Sequence, residues 1–360
     1  MARELIEGSE AIAKAMIAAG CRFFAGYPMT PFTEVLEHMA DLLPEAGGVC
    51  INAESELEAV GMAWGASATG ARAATGSVGQ GLSLMQESLA EMCFARVPMV
   101  VLNMARGQGD YYQATRGGGH GDYHHIVLAP STVPEAAELV QLAFHLADTW
   151  RNPVLFMGDY YLGHVREAVE IERLDFGPVP DKDWALDGSS SGTDHARIVS
   201  NVFPVKRDHP VWVPYGEWLE SIGPRIDAMR DGVEPLAETA HLDGAEHVVV
   251  AYGTAGRFVR YAVRKLREEG VPVGFVRPIT LWPFPADVVC AAGEAAGSLS
   301  VYELNHGQMF DDVRLAAPGV PATFIGGISY DVAGFGIAPE MKVGTIMEKI
   351  RRQMDGSLVR

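Results

Sequence analysis

CRFFAGYPMTPFTEVLEHMADLL, Cys21 to Leu43, decides how this chain is read. Its first six residues are an apolar run with the look of a buried strand, and FTEVLEHMADLL has helical spacing. Between them, GYPMTP (Gly26–Pro31) places Thr30 after Pro28 and before Pro31. One proline is enough for a turn. Two restrict the backbone on both sides of a hydroxyl. Thr30 is then either a preorganised group aimed at a ligand or the cap of a helix in which Pro31 takes a favoured first-turn position.

The strand–turn–helix pattern repeats outward from this point. EAIAKAMIAAG reads as a helix ended by Gly20, GGVCIN as a short strand, and SELEAVGMAWGASATG as a helix rich in small residues. ARAATGS, VPMVVLNMA and NPVLFMGD read as strands, the second a continuous apolar run of the kind found in sheets covered on both faces. GLSLMQESLAEMCFA is a helix, and so is PEAAELVQLAFHLADTW, where Thr132 and Glu135 have capping-box spacing. Residues 1–165 therefore predict an open, mostly parallel α/β sheet. Periodicity fades over 166–244, read as an irregular linker wrapping the surface and ending in a helix near WLESIGPRIDAM. A second α/β unit spans 245–360, from the strand HVVVAYG through the basic helix FVRYAVRKLREEG to the closing helix PEMKVGTIMEKIRRQ.

The 360 residues carry a formal charge of −18, which argues against nucleic acid and against an anionic membrane surface. No apolar run approaches the ~18–20 residues of a membrane span, and the N-terminus lacks a signal-peptide core, so a cytoplasmic location is expected. Cys21, Cys50, Cys93 and Cys290 stand far apart. That spacing rules out a self-contained thiolate cluster and predicts free thiols in a reducing compartment.

Ligands of open α/β sheets sit beyond the carboxyl ends of the strands. GYPMTP, NAESELEA and MARGQGDYYQATRGGGHGDYHH each follow an apolar strand and are expected to share one crevice. In the second segment Glu54, Glu56 and Glu58 crowd a helix start, where the helix dipole alone favours carboxylates by about 0.3–1 kcal/mol each. The helix that follows is small and apolar, so a glutamate facing it would be sheltered from water and suited to a hydrogen bond with a ring nitrogen. In the third, Arg106 offers a fork for a carboxylate, and the glycines let backbone N–H groups approach an anion. His120, Asp122, His124 and His125 have the chemistry of metal ligands. Adjacent His124 and His125 would point to opposite faces of a strand, however, and no metal is expected on this chain. GSVGQG lacks the lysine of a triphosphate-binding loop.

Together these segments resemble the α subunit of the 2-oxoacid:ferredoxin oxidoreductases, most closely the branched-chain 2-oxoacid (2-oxoisovalerate) subtype. The matching stretches are GYPMTPFTE, NAESELEAVGMAWGAS, GDYYQATRGGGHGDYHHIVLAPSTVPEA, RNPVLFMGDYYLGH, VAYGTAGR, VRPITLWPFP and ELNHGQM, in the family's order. The resemblance implies a thiamine-diphosphate pyrimidine-binding domain followed by a transketolase-C-terminal-like α/β domain. Glu56 is then the residue that hydrogen-bonds the aminopyrimidine ring, with Tyr27, Pro28 and Gly81 lining the cofactor. Thr30 and Arg106 would face the carboxylate of a 2-oxo acid that is converted, with coenzyme A, to an acyl-CoA.

No GDG…N segment and no ferredoxin-like cysteine run are present. The resemblance accordingly implies that magnesium and the cofactor's diphosphate belong to a β subunit, and that [4Fe-4S] clusters belong to ferredoxin-like and γ-type partners. The family's loop after the equivalent of Arg106 is longer than MARGQGDYYQAT, which leaves the acid open. A non-oxidative thiamine-diphosphate decarboxylase subunit and a non-catalytic partner-binding scaffold are the alternative readings.

Overall fold

The computed structural model describes residues 3–186, 219–329 and 338–357. Its elements follow in chain order. The first unit comprises β1 (Glu4–Glu7), α1 (Gly8–Ala18), β2 (Cys21–Gly26), α2 (Thr33–Leu42), β3 (Val49–Asn52), α3 (Glu56–Ala68), β4 (Arg72–Ser77) and α4 (Gly79–Ala95). It continues through β5 (Met99–Ala105), α5 (Tyr111–Thr115), β6 (Ile126–Leu128), α6 (Val133–Trp150), β7 (Pro153–Asp159), α7 (Tyr160–His164) and β8 (Arg166–Val169). After it come α8 (Ile222–Gly232), β9 (Ala237–Ala240), β10 (His247–Val250), α9 (Gly253–Glu268), β11 (Val273–Pro278) and β12 (Thr280–Trp282). The last are α10 (Ala286–Ala296), β13 (Leu299–Val301), α11 (Gln308–Ala316), β14 (Ala322–Phe324) and α12 (Val343–Met354).

The larger sheet has seven strands in the order β12-β6-β7-β5-β4-β2-β3, parallel throughout except for β12. The mostly parallel α/β architecture expected from the apolar runs is what forms. One face packs α1, α2 and α6 around Met16, Phe24, Phe32, Phe144 and Phe156, all at most 2% exposed. The other face packs α3 and α4, and its core runs on without a break into the second unit through Tyr252, Leu281, Val289 and Met309. The second sheet, β14-β13-β10-β11-β9, is parallel except for β9.

Several features depart from the sequence reading. α2 begins at Thr33, not Pro31, and its N-cap Phe32 has no side-chain acceptor, so Thr30 does not cap it. The reason is Phe32. Its N–H closes a turn on the Met29 carbonyl (2.7 Å), and its ring lies across Gly26 and Gly76, which face each other on β2 and β4. A Cβ at Gly26 would come within 2.9 Å of that ring, and one at Gly76 within 2.6 Å. The Thr30–Pro31 peptide is cis. At α6, Thr132 caps Glu135 N–H as its spacing foretells, but the Glu135 carboxylate reaches the backbone N–H and hydroxyl of Ser131 instead of Thr132. In the stretch read as irregular, β8 pairs with β1 and β9 joins the second sheet. From Asp187 to Trp218, covering most of LDGSSSGTDHARIVSN and all of VFPVKRDHPVWVP, that reading lies outside the described residues.

The two units are tied by more than apolar contact. β12 leaves the second unit to pair with β6 of the first. Arg277, 4% exposed, bonds Glu135 and Glu238 at 2.7 Å each. Arg116 forks onto Asp312, whose other donor is the Tyr111 hydroxyl.

Two buried imidazoles make stability depend on pH. Burial lowers His125 and His247 from the ordinary 6.5 to about 4. The unfolded chain binds these protons near pH 6.5 and the folded chain refuses them until about pH 4, so their contribution to stability falls as pH drops through that window. Asp110, Asp159 and Glu303, raised by burial, act in the opposite sense. The clean measurement is therefore a difference: urea unfolding of His247→Gln against the parent at pH 7 and 5. The parent is expected to lose more stability on acidification than the variant.

Candidate active site

β2 connects to β3 on one side and the chain then returns to β4 on the other, so the direction of winding reverses between β2 and β4. Open α/β sheets place ligands at the carboxyl ends of such a switch point. GYPMTP follows β2, NAES follows β3, SVGQG follows β4 and RGQGD follows β5, so all are brought to one edge of neighbouring strands.

The three glutamates of the second segment separate cleanly. Ser55 caps α3 by accepting from Glu58 N–H, and the exposed Glu58 accepts in turn from the backbone of exposed Glu54 (2.9 Å). Those two explain themselves as helix-end chemistry. Glu56 does not: it turns inward and is 3% exposed. Ser77, the last residue of β4, donates its hydroxyl to Glu56 Oε1 at 2.8 Å. Among the described residues Oε2 accepts no hydrogen bond. Gly81, in the first turn of α4, is where the carboxyl rests. A Cβ there would stand 2.5 Å from Glu56 Oε1 and collide with the Ser77 hydroxyl. Gly81→Ala is expected to push the carboxyl out of place, costing about 1–3 kcal/mol of stability, which thermal unfolding of the variant against the parent checks.

Arg106, half-buried just past β5, donates Nε–H to the Thr30 backbone carbonyl at 3.0 Å. The two residues that sequence reasoning placed on different segments therefore meet. Among the described residues the Arg106 Nη atoms and the half-buried Thr30 hydroxyl bond no other residue. Tyr27 is half-buried and Pro28 exposed on the same loop.

A second sheltered carboxyl was not foreseen. Asp110 packs onto Gly79, at the first residue of α4, and accepts from Asn103 Nδ2 at 3.1 Å. Burial raises it from the usual carboxylate range. Asn103 faces Ser77 across β5 and β4, so Asp110 and Glu56 flank the same helix start. The sequence signal was faint, a lone acid in a glycine loop. The histidines take structural places instead. His120 pairs with Glu91 (3.1 Å), His124 stacks on Trp282 with ring centroids 4.7 Å apart, and His125 is fully buried. No group of three or more potential metal ligands stands together among the described residues.

A sheltered carboxyl with one oxygen fixed and the other without a partner, set at the switch point of a parallel sheet, fits the aminopyrimidine half of thiamine diphosphate. Fold and site thus define a pyrimidine-binding α/β domain of the thiamine-diphosphate class. Comparison with known proteins agrees: residues 14–184 match the thiamine-diphosphate-binding domain of the pyruvate flavodoxin/ferredoxin oxidoreductases, and residues 245–334 their core domain II. Ketoisovalerate oxidoreductase subunit VorB of Methanothermobacter thermautotrophicus is 36% identical, covering 88% of this chain and 90% of its own. 2-Oxoglutarate synthase subunit KorA of the same organism is 38% identical over 88% and 91%. A solved 2-oxoglutarate:ferredoxin oxidoreductase from Magnetococcus marinus has the same fold (TM-score 0.80, 24% identity) over 98% of this chain, which spans 65% of that longer one. A split-gene transketolase shares the fold more distantly, with a TM-score of 0.58. This chain belongs to the 2-oxoacid:ferredoxin oxidoreductase family, and as a subunit it works with partner chains.

Proposed function

We propose that this chain is the α-type subunit that binds the aminopyrimidine of thiamine diphosphate and the carboxylate of a 2-oxo acid, in an enzyme forming an acyl-CoA and reducing ferredoxin. The observation that carries this reading is the sheltered Glu56 carboxyl, held by Ser77 through Oε1 with Oε2 left for a ring nitrogen. When bound, the cofactor supplies the electron sink for decarboxylation. Glu56 holds or returns a proton at the ring nitrogen. Arg106 and Thr30 orient the carboxylate that leaves, and burial against Ser77 and Gly81 keeps water away from Glu56.

Another polypeptide completes the site. Leu57 and Met62 on α3 and Leu84 on α4 are 52%, 40% and 51% exposed beside Glu56 and Gly81. Gly61 and Gly65 leave open space along the same helix. Such a face suits a close-packed partner, here the β subunit that would hold the diphosphate and magnesium. Ferredoxin-like and γ-type subunits would carry the [4Fe-4S] clusters. No helix of the described residues is long and apolar enough to cross a membrane. Four thiols without disulfides fit a reducing, cytoplasmic setting.

The test is co-expression with candidate partner subunits, followed by carbon dioxide release and dye reduction across 2-oxo acids with and without coenzyme A. Coenzyme-A-dependent dye reduction supports the proposal. Carbon dioxide release without dye reduction identifies a non-oxidative decarboxylase, and neither product in a stable complex identifies a scaffold.

A further inference from the structure

The segment ELNHGQM, Glu303–Met309, has no part in the chemistry assigned above, yet its buried polar side chains are closely hydrogen-bonded. Glu303 is completely buried between β13 and α11, and its carboxylate accepts from Met309 N–H (2.9 Å), Phe310 N–H (3.0 Å) and Asn305 Nδ2 (2.8 Å). Asn305 Oδ1 accepts from Gly307 N–H and Gln308 N–H, which fixes the turn into α11. The arrangement is rigid because the polar atoms of the buried Glu303 and Asn305 side chains are all bonded.

What this rigid turn grips is the loop that follows Arg106. Asn305 Nδ2 donates to the Gln108 carbonyl at 2.8 Å. Gln108 N–H donates to the Leu304 carbonyl at 3.2 Å. The Gln108 side chain, 5% exposed, accepts from Leu304 N–H (2.8 Å) and donates to the Tyr252 carbonyl (3.0 Å). Gln308 Nε2 donates to the Gly109 carbonyl (2.8 Å), and Gln308 Oε1 accepts from Tyr112 N–H (2.9 Å). The backbone from Gln108 to Tyr112 is thus tied to the second unit, while Arg106, two residues upstream, is tied to Thr30.

Glycine-rich loops are mobile by default, and a fork that must meet a carboxylate loses its value when displaced by an ångström. We propose that Gln108 and Gln308 are positioning residues for the 2-oxo acid: the turn at 303–308 of the second unit sets where the Arg106 guanidinium stands. This rests on the reading of Arg106 as the carboxylate fork. The second unit then acts on substrate recognition without touching substrate.

Half-buried Gln308 is the variant of choice, because water can replace its contacts without leaving buried groups unpaired. In the assembled enzyme, Gln308→Ala is expected to raise KM for the 2-oxo acid about tenfold with little change in kcat. KM for coenzyme A stays as it was. Gln308→Glu, which keeps the acceptor for Tyr112 N–H but sets a carboxylate against the Gly109 carbonyl, is expected to do the same. In an Arg106→Ala background neither change raises KM further, whereas a purely structural role would add its effect in both backgrounds. Equal effects in the two backgrounds, or a normal KM in both Gln308 variants while Arg106→Ala raises it, would overturn the positioning role alone. An Arg106→Ala enzyme with unchanged KM would overturn the reading of Arg106 and this proposal with it.

Discussion

Glu56→Gln in the assembled enzyme is expected to lower turnover by about 10²–10⁴-fold while folding and assembly proceed as before. Glutamine has nearly the same volume, and its carbonyl oxygen can still accept the Ser77 hydroxyl that now bonds Oε1. The exposed Leu57, Met62 and Leu84 that would meet a partner are untouched. What the amide cannot do is exchange a proton at the position left to Oε2. A loss of activity accompanied by dissociation of the complex would point to a structural role. Near-normal turnover would remove Glu56 from the chemistry altogether. Glu56→Ala is the harsher control, since it also leaves the Ser77 hydroxyl without its acceptor.

Arg106→Ala is expected to raise KM for the 2-oxo acid about 10- to 100-fold, the worth of a charge-assisted hydrogen bond. The change removes a cation that bonds only the Thr30 carbonyl among the described residues, so no ion pair among them collapses with it. Arg106→Lys should fall between the two, because it keeps the charge but loses the planar fork and the Nε–H that reaches Thr30. Steady-state kinetics with the preferred acid measure both variants. An unchanged KM would move carboxylate recognition elsewhere in the crevice.

How much of this is legible in the sequence depends on the range over which each residue acts. CRFFAG became β2 with its limits unchanged, and the apolar runs became parallel strands, because burial on both faces writes itself into local composition. Gathering GYPMTP, NAES and the Arg106 loop at one edge was equally legible, since ligand segments follow strand ends whatever the strand order. Pro31 and Thr30 misled because proline chemistry alone suggests a helix start, whereas Phe32 and the facing glycines on β2 and β4 decide it. That is a tertiary effect no window of sequence contains.

The sorting of Glu54, Glu56 and Glu58 was half legible. Crowded acids at a helix start announce dipole chemistry, but only Ser77 and Gly81, from the next strand and helix, show which one turns inward. Asp110 and the Gln108–Asn305 contact were invisible for the same reason: Asp110 packs onto Gly79 at the start of another helix, and Asn305 lies 197 residues from Gln108. The crossing of β12 into the first sheet was missed because three residues carry no periodicity to read.

The central claim is that the Oε2 side of Glu56 is reserved for the aminopyrimidine ring of a cofactor held between this chain and another. A structure of the assembled enzyme with thiamine diphosphate bound tests it most directly. The expected result is a Glu56 carboxyl oxygen within about 2.6–3.2 Å of a pyrimidine ring nitrogen, with Ser77 still bonded to its neighbour and the diphosphate in the grip of the partner. A ring bound away from Glu56, or a Glu56 side chain turned out to solvent in that complex, would contradict the account.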